Sequence, residues 1–267
     1  MKRWIYIAIA TALLAGCEVI GENERLIPTA VDIDAAGKAH VLIEYTGFRC
    51  VNCPKAAEVA ESLHQAYGEQ LIVVAMHPAS NPFTQGVAEY DYTSPAADIY
   101  YSDMGGNATT PFPTGNLNMQ RDADGYLHDY TLWPTMLAAV AGEKASVFVH
   151  PEATYNESTH QVTVRTTCYA EQPYDGQLLL WLVEDSIQGA QLMPDGTVST
   201  QYYHRHVLRQ ALTEPYGQTM AFAVQPATHE LQFALPEQYD LTHCSIVALV
   251  LNTNTAEIIN ARQTPIQ

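Results

Sequence analysis

The chain has 267 residues and a formal net charge of −17 at pH 7, from 12 basic and 29 acidic side chains. This excess of negative charge repels nucleic acid and anionic membrane surfaces, so it argues against a protein that binds either of them through its charge. Because 47% of the residues are hydrophobic, the chain can bury a core, and its composition excludes an intrinsically disordered protein.

The N-terminus has the pattern of a secretion signal. Two basic residues precede an uncharged, mostly apolar stretch at 4–16, which is long enough for a signal-peptide core but too short for a membrane-spanning helix of about 20 residues. The stretch ends in Leu-Ala-Gly-Cys at 14–17, which resembles a bacterial lipobox, where the cysteine is lipidated and the preceding peptide is removed. We expect a signal peptide at 1–16 and a membrane anchor on Cys17, with a mature formal charge of −19 once both basic residues are lost.

The next segments predict a tether and then a strand–helix–strand unit. Residues 17–37 are polar and contain a Pro and a Gly, as in a lipidated tether. Residues 40–45 predict a buried strand, and residues 51–67 carry apolar side chains at helical spacing up to Gly68. A continuous apolar run at 71–76 is typical of a central parallel strand. The connection between the two strands is expected to be right-handed.

The α/β region continues to residue 143 and contains an insertion. Pro, Asn and Gly cluster at the two ends of residues 78–110, and a short helix is predicted inside, at 96–102. Pro134 is compatible with the last predicted helix only in its first turn. We therefore expect one α/β domain at 38–143, whose later elements are a strand at 114–119, a tight turn at 122–125 and a helix at 129–142.

The sequence becomes rich in short β segments after Gly142. Seven segments alternate with Pro, Gly and Asp turns, which is typical of an antiparallel, Ig-like sandwich. This predicts an all-β domain at 144–267. The candidate strands lie at 146–150, 161–169, 177–184, 202–209, 218–224, 230–234 and 244–251.

The pair Cys50-Val-Asn-Cys53 has three readings: a redox pair, half of a zinc site, or an inert structural disulfide. It lies between a predicted strand and a predicted helix, so Cys50 falls at the helix N-terminus, where the helix dipole stabilises a thiolate. Arg49 adds a neighbouring positive charge. A zinc site needs further ligands, and no second cysteine pair is nearby. We therefore predict neither a metal nor a cofactor, and both a redox pair and a structural disulfide stay open.

The segment 40–55, His-Val-Leu-Ile-Glu-Tyr-Thr-Gly-Phe-Arg-Cys-Val-Asn-Cys-Pro-Lys, resembles the active-site strand and helix of thioredoxins without a gap. Phe-Pro-Thr at 112–114 resembles the segment of that family in which a cis-proline packs against the disulfide. The resemblance implies that Cys50 attacks, Cys53 resolves, Glu44 relays a proton and Pro113 is the cis-proline.

Each of these roles has a plainer alternative. The cysteine pair is also compatible with a structural disulfide, Glu44 with a paired core acid, and Pro113 with an ordinary trans turn proline, because only about one X–Pro bond in twenty is cis. Arg49 stands where thioredoxins have Trp, and the insertion is a second departure from the family.

Six segments from the active-site strand to the last strand carry a second resemblance, at 45–54, 70–77, 112–115, 181–185, 203–209 and 244–256. Through them the chain as a whole resembles the Omp28-related lipoproteins of the outer membrane of Gram-negative bacteria. This resemblance implies a thioredoxin-like domain followed by a β-sandwich, held at the outer membrane by lipid, but it supplies no substrate.

Four further residues of the predicted sandwich invite an interpretation. Cys168 and Cys244 lie on two predicted strands, and we expect them to form a disulfide, the alternative being two buried free thiols. His204 and His206 alternate, so they share a face of a strand. Because no third ligand is placed beside them, surface or packing histidines are favoured over a metal site.

These observations leave two hypotheses from different classes. In the first, an outer-membrane lipoprotein exchanges disulfides with exported proteins, and its Cys50 is exposed and reactive beside Pro113. In the second, a non-enzymatic lipoprotein binds a ligand or partner through its sandwich, and the disulfide is buried and structural.

Overall fold

The computed structural model describes residues 37–85 and 91–267. The expected signal peptide, the lipidated Cys17 and the tether up to residue 36 lie outside the described residues. No helix in the described ranges is long and apolar enough to cross a membrane. The described residues belong to one compact unit.

The predicted strand–helix–strand unit is confirmed. Strand β1 (His40–Tyr45) runs parallel to strand β2 (Leu71–Met76), and every residue of both strands is buried. Helix α1 (Cys53–Tyr67) connects them and has a proline in its first turn. The helix ends at Gly68, whose φ of 55° is a conformation that glycine adopts without a Cβ clash. The Cys-x-x-Cys segment therefore begins in the turn after β1 and ends on the first residue of α1.

The region after β2 contains the other predicted elements of the α/β part. Helix α2 (Pro95–Asp103) begins after Ser94, whose side-chain oxygen accepts a hydrogen bond from the third residue of the helix. Strand β3 (Thr114–Leu117) pairs antiparallel with β1. Helix α3 (Trp133–Val140) follows a 3₁₀ turn and begins four residues later than predicted, so that Pro134 lies in its first turn.

The second half of the described chain is entirely β apart from one short 3₁₀ turn. It holds ten strands rather than the seven predicted. The strands are β4 (Val147–Asn156), β5 (Gln161–Ala170), β6 (Tyr174–Glu184), β7 (Ile187–Leu192), β8 (Val198–His204), β9 (Val207–Ala211), β10 (Gln218–Phe222), β11 (Ala227–Ala234), β12 (Cys244–Asn252) and β13 (Ile258–Pro265).

Three differences explain the count. Strands β7 and β13 were not predicted, and the predicted strand at 202–209 is two strands, β8 and β9. His206, in the break, has a φ of 55°, which no strand residue adopts. The predicted same-face pair of His204 and His206 is therefore wrong, because the chain turns between them.

The strands of both halves join in one mixed sheet of eight strands, in the order β13-β12-β6-β9-β2-β1-β3, with β10 paired to β6. The link is between β2 and β9, where Ala75 pairs with Val207 and its N–H donates to the carbonyl of His206 at 2.8 Å. A three-stranded sheet (β11-β5-β4) and the β7–β8 hairpin complete the described strands. Residue 143 thus marks a change of composition, but the main sheet continues across it.

Strands β6 and β12 are buried on both faces, because each face meets a different layer. Leu180 and Leu182 point to a core shared with the three-stranded sheet, which gives a two-sheet sandwich. Trp181 points to the other side, where it packs with β1, β2 and α2, and its indole N–H donates to the hydroxyl of Tyr100 at 3.0 Å. A third core lies between the first two strands and helices α1 and α3.

Candidate functional site

Cys50 and Cys53 form a disulfide at the start of α1, with 5.3 Å between their Cα atoms. Cys50 lies in the turn that follows β1, and Cys53 is the first residue of the helix. Arg49 is exposed, and its guanidinium lies 5.8 Å from the ring centre of Phe48. The disulfide therefore lies where the sequence pattern predicted it, at the N-terminus of α1, which is the positive end of the helix dipole.

Both cysteines are buried: Cys50 is 1% exposed and Cys53 is 2% exposed. The expectation of an exposed Cys50 is therefore wrong. The reason is the β7–β8 hairpin, which the sequence did not predict. Gln191 donates its side-chain N–H to the carbonyl of Cys50 at 3.0 Å, and the backbone N–H of Leu192 donates to the carbonyl of Phe48 at 2.7 Å. The hairpin thus lies directly against the disulfide turn.

The Phe112–Pro113 peptide bond is cis, the form that the thioredoxin resemblance implies. It directly precedes β3, the strand that pairs with β1. Phe112 is buried in the same core as Cys50 and Cys53, and its ring stacks on that of Phe83 with 5.8 Å between the centroids.

Glu44 is a buried acid on β1, only 3% exposed. One of its carboxyl oxygens, Oε1, has no hydrogen-bond partner. Burial raises the pKa of Glu44 to about 8, and a hydrogen bond with the side chain of Thr46 opposes this only in part. The side chain is therefore a neutral carboxylic acid at pH 7, able to donate a proton or, once ionised, to accept one.

A cavity of about 370 Å³ lies beside the disulfide. Glu44 and Cys53 both border it, whereas Cys50 does not. Helix α1 supplies one wall with Glu58 and Glu61, and the β7–β8 hairpin with the turn after it supplies the opposite wall. The residues of that wall that line the cavity are Gln191, Met193, Tyr202, Tyr203, His204, Arg205 and His206.

Two buried histidines stand at this cavity with their rings 6.1 Å apart. His77 is 2% exposed and neither ring nitrogen has a hydrogen-bond partner. Burial, and then repulsion from His204 in its protonated form and from Arg209, hold the pKa of His77 well below its usual range. Burial also lowers the pKa of His204 to about 4, against a hydrogen bond to the carbonyl of Ala190. Both rings are therefore neutral at pH 7. The described ranges contain no group of three or more His, Cys, Asp or Glu side chains that could hold a metal ion.

One ion pair and the contacts of His206 hold the base of the hairpin. Arg205 lies 3.0 Å from the carboxylate of Glu61. His206 reaches the same carboxylate at 3.7 Å and Asp185 at 3.2 Å. The hairpin is thus held at both ends, by the Arg205–Glu61 ion pair and the contacts of His206 near its base and by Gln191 and Leu192 near the disulfide.

The predicted disulfide between Cys168 and Cys244 is not formed; both are free, buried thiols. Cys168 lies on β5 in the three-stranded sheet and Cys244 begins β12 in the large sheet. They share the core between these sheets without being bonded. Burial raises the pKa of each thiol to about 12, so both stay protonated and unreactive in the folded protein.

Solved structures share this β-rich fold. HBP35 of Porphyromonas gingivalis superimposes with a TM-score of 0.66 at 17% identity, covering 86% of this chain and 76% of that one. A protein of Agrobacterium tumefaciens superimposes with a TM-score of 0.54 at 16% identity, covering 85% of this chain and 95% of that one. At these identities the likeness shows a common fold and nothing about activity.

The sequence profile of the outer membrane protein Omp28 matches residues 99–267, from within α2 to the last residue. The chain belongs to this family of outer membrane proteins, which places it in the cell envelope at the outer membrane. The matched residues do not include Cys50 and Cys53, so membership alone says nothing about the disulfide. No curated protein matches the chain significantly.

Proposed function

We propose that the protein is an outer-membrane lipoprotein, anchored through Cys17, that exchanges disulfides with exported proteins at Cys50 and Cys53. In this proposal residues 38–143 form a thioredoxin-like domain and residues 144–267 an Ig-like sandwich. The observation that carries it is the placement of a buried, protonated Glu44 and Cys53 at one cavity, with the disulfide at the start of a helix. The cis Phe112–Pro113 bond ahead of β3 is further support.

The proposed thiol–disulfide exchange with a client protein assigns a step to each of these residues. In the reduced protein, the Cys50 thiolate attacks one sulfur of a client disulfide, the client S–S bond breaks, and the other client sulfur leaves as a thiolate. Cys53 then attacks the mixed disulfide and releases the second client sulfur, so that the client is reduced and the pair is oxidised. The ionised form of Glu44 takes the proton of Cys53 during this second attack. Arg49 and the helix dipole stabilise the Cys50 thiolate.

A folded client reaches Cys50 only when the β7–β8 hairpin moves away. The two hydrogen bonds from Gln191 and Leu192 hold the hairpin against the turn at 48–50, where Cys50 is 1% exposed. A neutral hydrogen bond contributes about 1 kcal/mol, so opening this end is accessible to thermal fluctuation.

A redox titration tests the proposal. The purified protein is equilibrated in glutathione buffers, the free thiols are alkylated, and the mass of the peptide with Cys50 and Cys53 is read. We expect the pair to interconvert between roughly −120 and −270 mV, the range of working oxidoreductases. A pair that stays oxidised below about −300 mV behaves as a structural disulfide and contradicts the proposal.

The second candidate is a non-enzymatic binding lipoprotein in which this disulfide is structural. The burial of Cys50, at 1% exposure, favours it. Replacement of both cysteines by serine distinguishes the two candidates, because a structural disulfide that closes so short a loop is expected to stabilise the fold by about 2 kcal/mol. A redox pair is cycled without a comparable loss of folding free energy.

A further inference from the structure

We propose that the cavity beside Cys53 binds the reductant of the oxidised pair, and that this reductant is a small thiol without negative charge. The inference rests on the proposed function and adds its other half-reaction, the one that regenerates the reduced pair. It names the class of molecule that enters and the sulfur atom that it attacks.

The position of the cavity indicates that a small thiol approaches Cys53 rather than Cys50. Cys50 does not border the cavity, and the contacts of Gln191 and Leu192 close the turn in front of it. Cys53 borders a space of about 370 Å³, which accepts a small molecule but not a folded protein. Cys53 itself is only 2% exposed, so the approach that this cavity offers while the hairpin stays in place is open to a small thiol alone.

The charges of the cavity select against anions. Glu58 and Glu61 line the α1 wall, and Arg205, the cation of the opposite wall, is already paired with Glu61 at 3.0 Å. His77 and His204 are held neutral by burial. An entering thiol therefore meets a net negative field, which repels an anionic molecule and attracts a cationic one.

Two buried polar side chains at this cavity have atoms without a hydrogen-bond partner. Oε1 of Glu44 and both ring nitrogens of His77 have none, although these side chains are only 3% and 2% exposed. Leaving such groups unpaired costs about 1–3 kcal/mol each. A neutral hydroxyl, amide or amine on a small thiol supplies both donors and acceptors to them, so its binding recovers part of that cost.

The reaction balances with two molecules of the thiol. The first enters as the neutral thiol, releases its proton to solvent and, as RS⁻, attacks the sulfur of Cys53; the Cys50–Cys53 bond breaks, and Cys50 leaves as a thiolate at the positive end of α1. The second attacks the RS sulfur of the mixed disulfide and releases RSSR. Cys53 then leaves as a thiolate and takes the proton of the Glu44 carboxyl. Two thiols are oxidised to one disulfide, and the pair gains two electrons.

The test compares three small thiols on the intact oxidised protein: 2-mercaptoethanol, cysteamine and 2-mercaptoethanesulfonate. Rates of reduction are corrected for the thiolate fraction of each reagent. We expect the neutral and cationic thiols to react about tenfold faster than the anionic one, the low end of electrostatic effects on association. Equal rates would show that reduction waits for hairpin opening and would overturn the inference while leaving disulfide exchange intact. If none of the three reduces the folded protein, the proposed function fails as well.

A charge-reversal pair identifies the cavity as the cause. Glu58→Lys is expected to raise the rate with the anionic thiol relative to 2-mercaptoethanol. Glu157→Lys changes the net charge equally on an exposed turn away from the cavity, and it should leave the ratio unchanged. Equal effects of both variants would contradict a local field.

The sulfur attacked is read by quenching early in the reaction with iodoacetamide and sequencing the peptide that contains both cysteines. The RS group is expected on Cys53 and the alkyl group on Cys50. The reverse assignment would overturn the proposed entry.

Discussion

At the scale of single residues, Glu44 links the fold to the chemistry. Its burial raises the pKa to about 8 in the folded protein, whereas 4.5 is the ordinary value. Below pH 4.5 the carboxyl is neutral in both states and its burial costs no ionisation energy. As the pH rises from there through about 8, the unfolded chain ionises first, and folding stability is lost.

We expect Glu44→Gln to abolish this loss, because an amide stays neutral. Each pKa unit corresponds to about 1.4 kcal/mol, so between pH 5 and 8.5 the wild type should lose on the order of 4 kcal/mol more unfolding free energy than the variant. Guanidinium unfolding of both proteins with the disulfide intact measures the difference. Parallel stability profiles would show that Glu44 ionises normally in the folded protein.

Cys168 and Cys244 give a second test at this scale. Burial raises the pKa of both thiols to about 12, so neither should react with iodoacetamide in the folded protein over hours, and both should react fully in guanidinium. Peptide mass mapping without prior reduction reads the result. Recovery of a Cys168–Cys244 disulfide peptide would restore the pairing that the sequence suggested.

At the scale of secondary structure, the sequence predicted the elements that carry a strong pattern. The apolar runs of β1 and β2 and the helical spacing of α1 have one interpretation each, and Gly68 sets the end of the helix. The same strand and helix predictions located Cys50 and Cys53 at the junction of β1 and α1.

The elements that the sequence did not predict have weak local patterns. Strand β7 (Ile-Gln-Gly-Ala-Gln-Leu) mixes polar and small residues, and only its contacts across the sequence, Gln191 to Cys50 and Leu192 to Phe48, give it a role. At the break, the ring of His206 contacts the carboxylates of Glu61 and Asp185, which no local spacing reveals. Because the sequence did not predict the β7–β8 hairpin, it did not predict that the disulfide is buried.

The position of the β7–β8 hairpin predicts that a large reductant reduces the pair faster when the hairpin is loosened. Gln191→Ala removes the bonds that this side chain donates to the carbonyls of Cys50 and Leu192, both at 3.0 Å. Only the bond to Cys50 joins the hairpin to the disulfide turn, and at about 1 kcal/mol for that bond reduction of the pair by a folded protein thiol, such as reduced thioredoxin, should quicken about fivefold. Gln188→Ala, at an exposed position of the same strand, serves as the control. An unchanged rate in Gln191→Ala would mean that the hairpin does not limit access to Cys50.

At the scale of the whole molecule, the question is whether the parts before and after residue 143 are separate folding units. The change of composition at this residue suggested two domains. The structure joins their strands in one sheet, and Trp181 of β6 packs in the same core as β1, β2 and α2. Pairing between strands far apart in sequence leaves no local signal, which is why composition alone did not reveal the shared sheet.

Because β6, β9, β2 and β1 are neighbours in that sheet, separating the two parts would expose the buried faces of both. We therefore expect them to unfold together. Native-state hydrogen exchange in increasing denaturant should bring the amides of β1 and β2 and those of β6 and β12 onto one unfolding isotherm, with the same free energy and the same denaturant dependence. The amides of β7 should exchange at lower free energy, because this hairpin pairs only with itself and is held by a few contacts. Two separate isotherms for the two groups of central strands would instead show independent domains, and the β2–β9 contact would then be an interface between them.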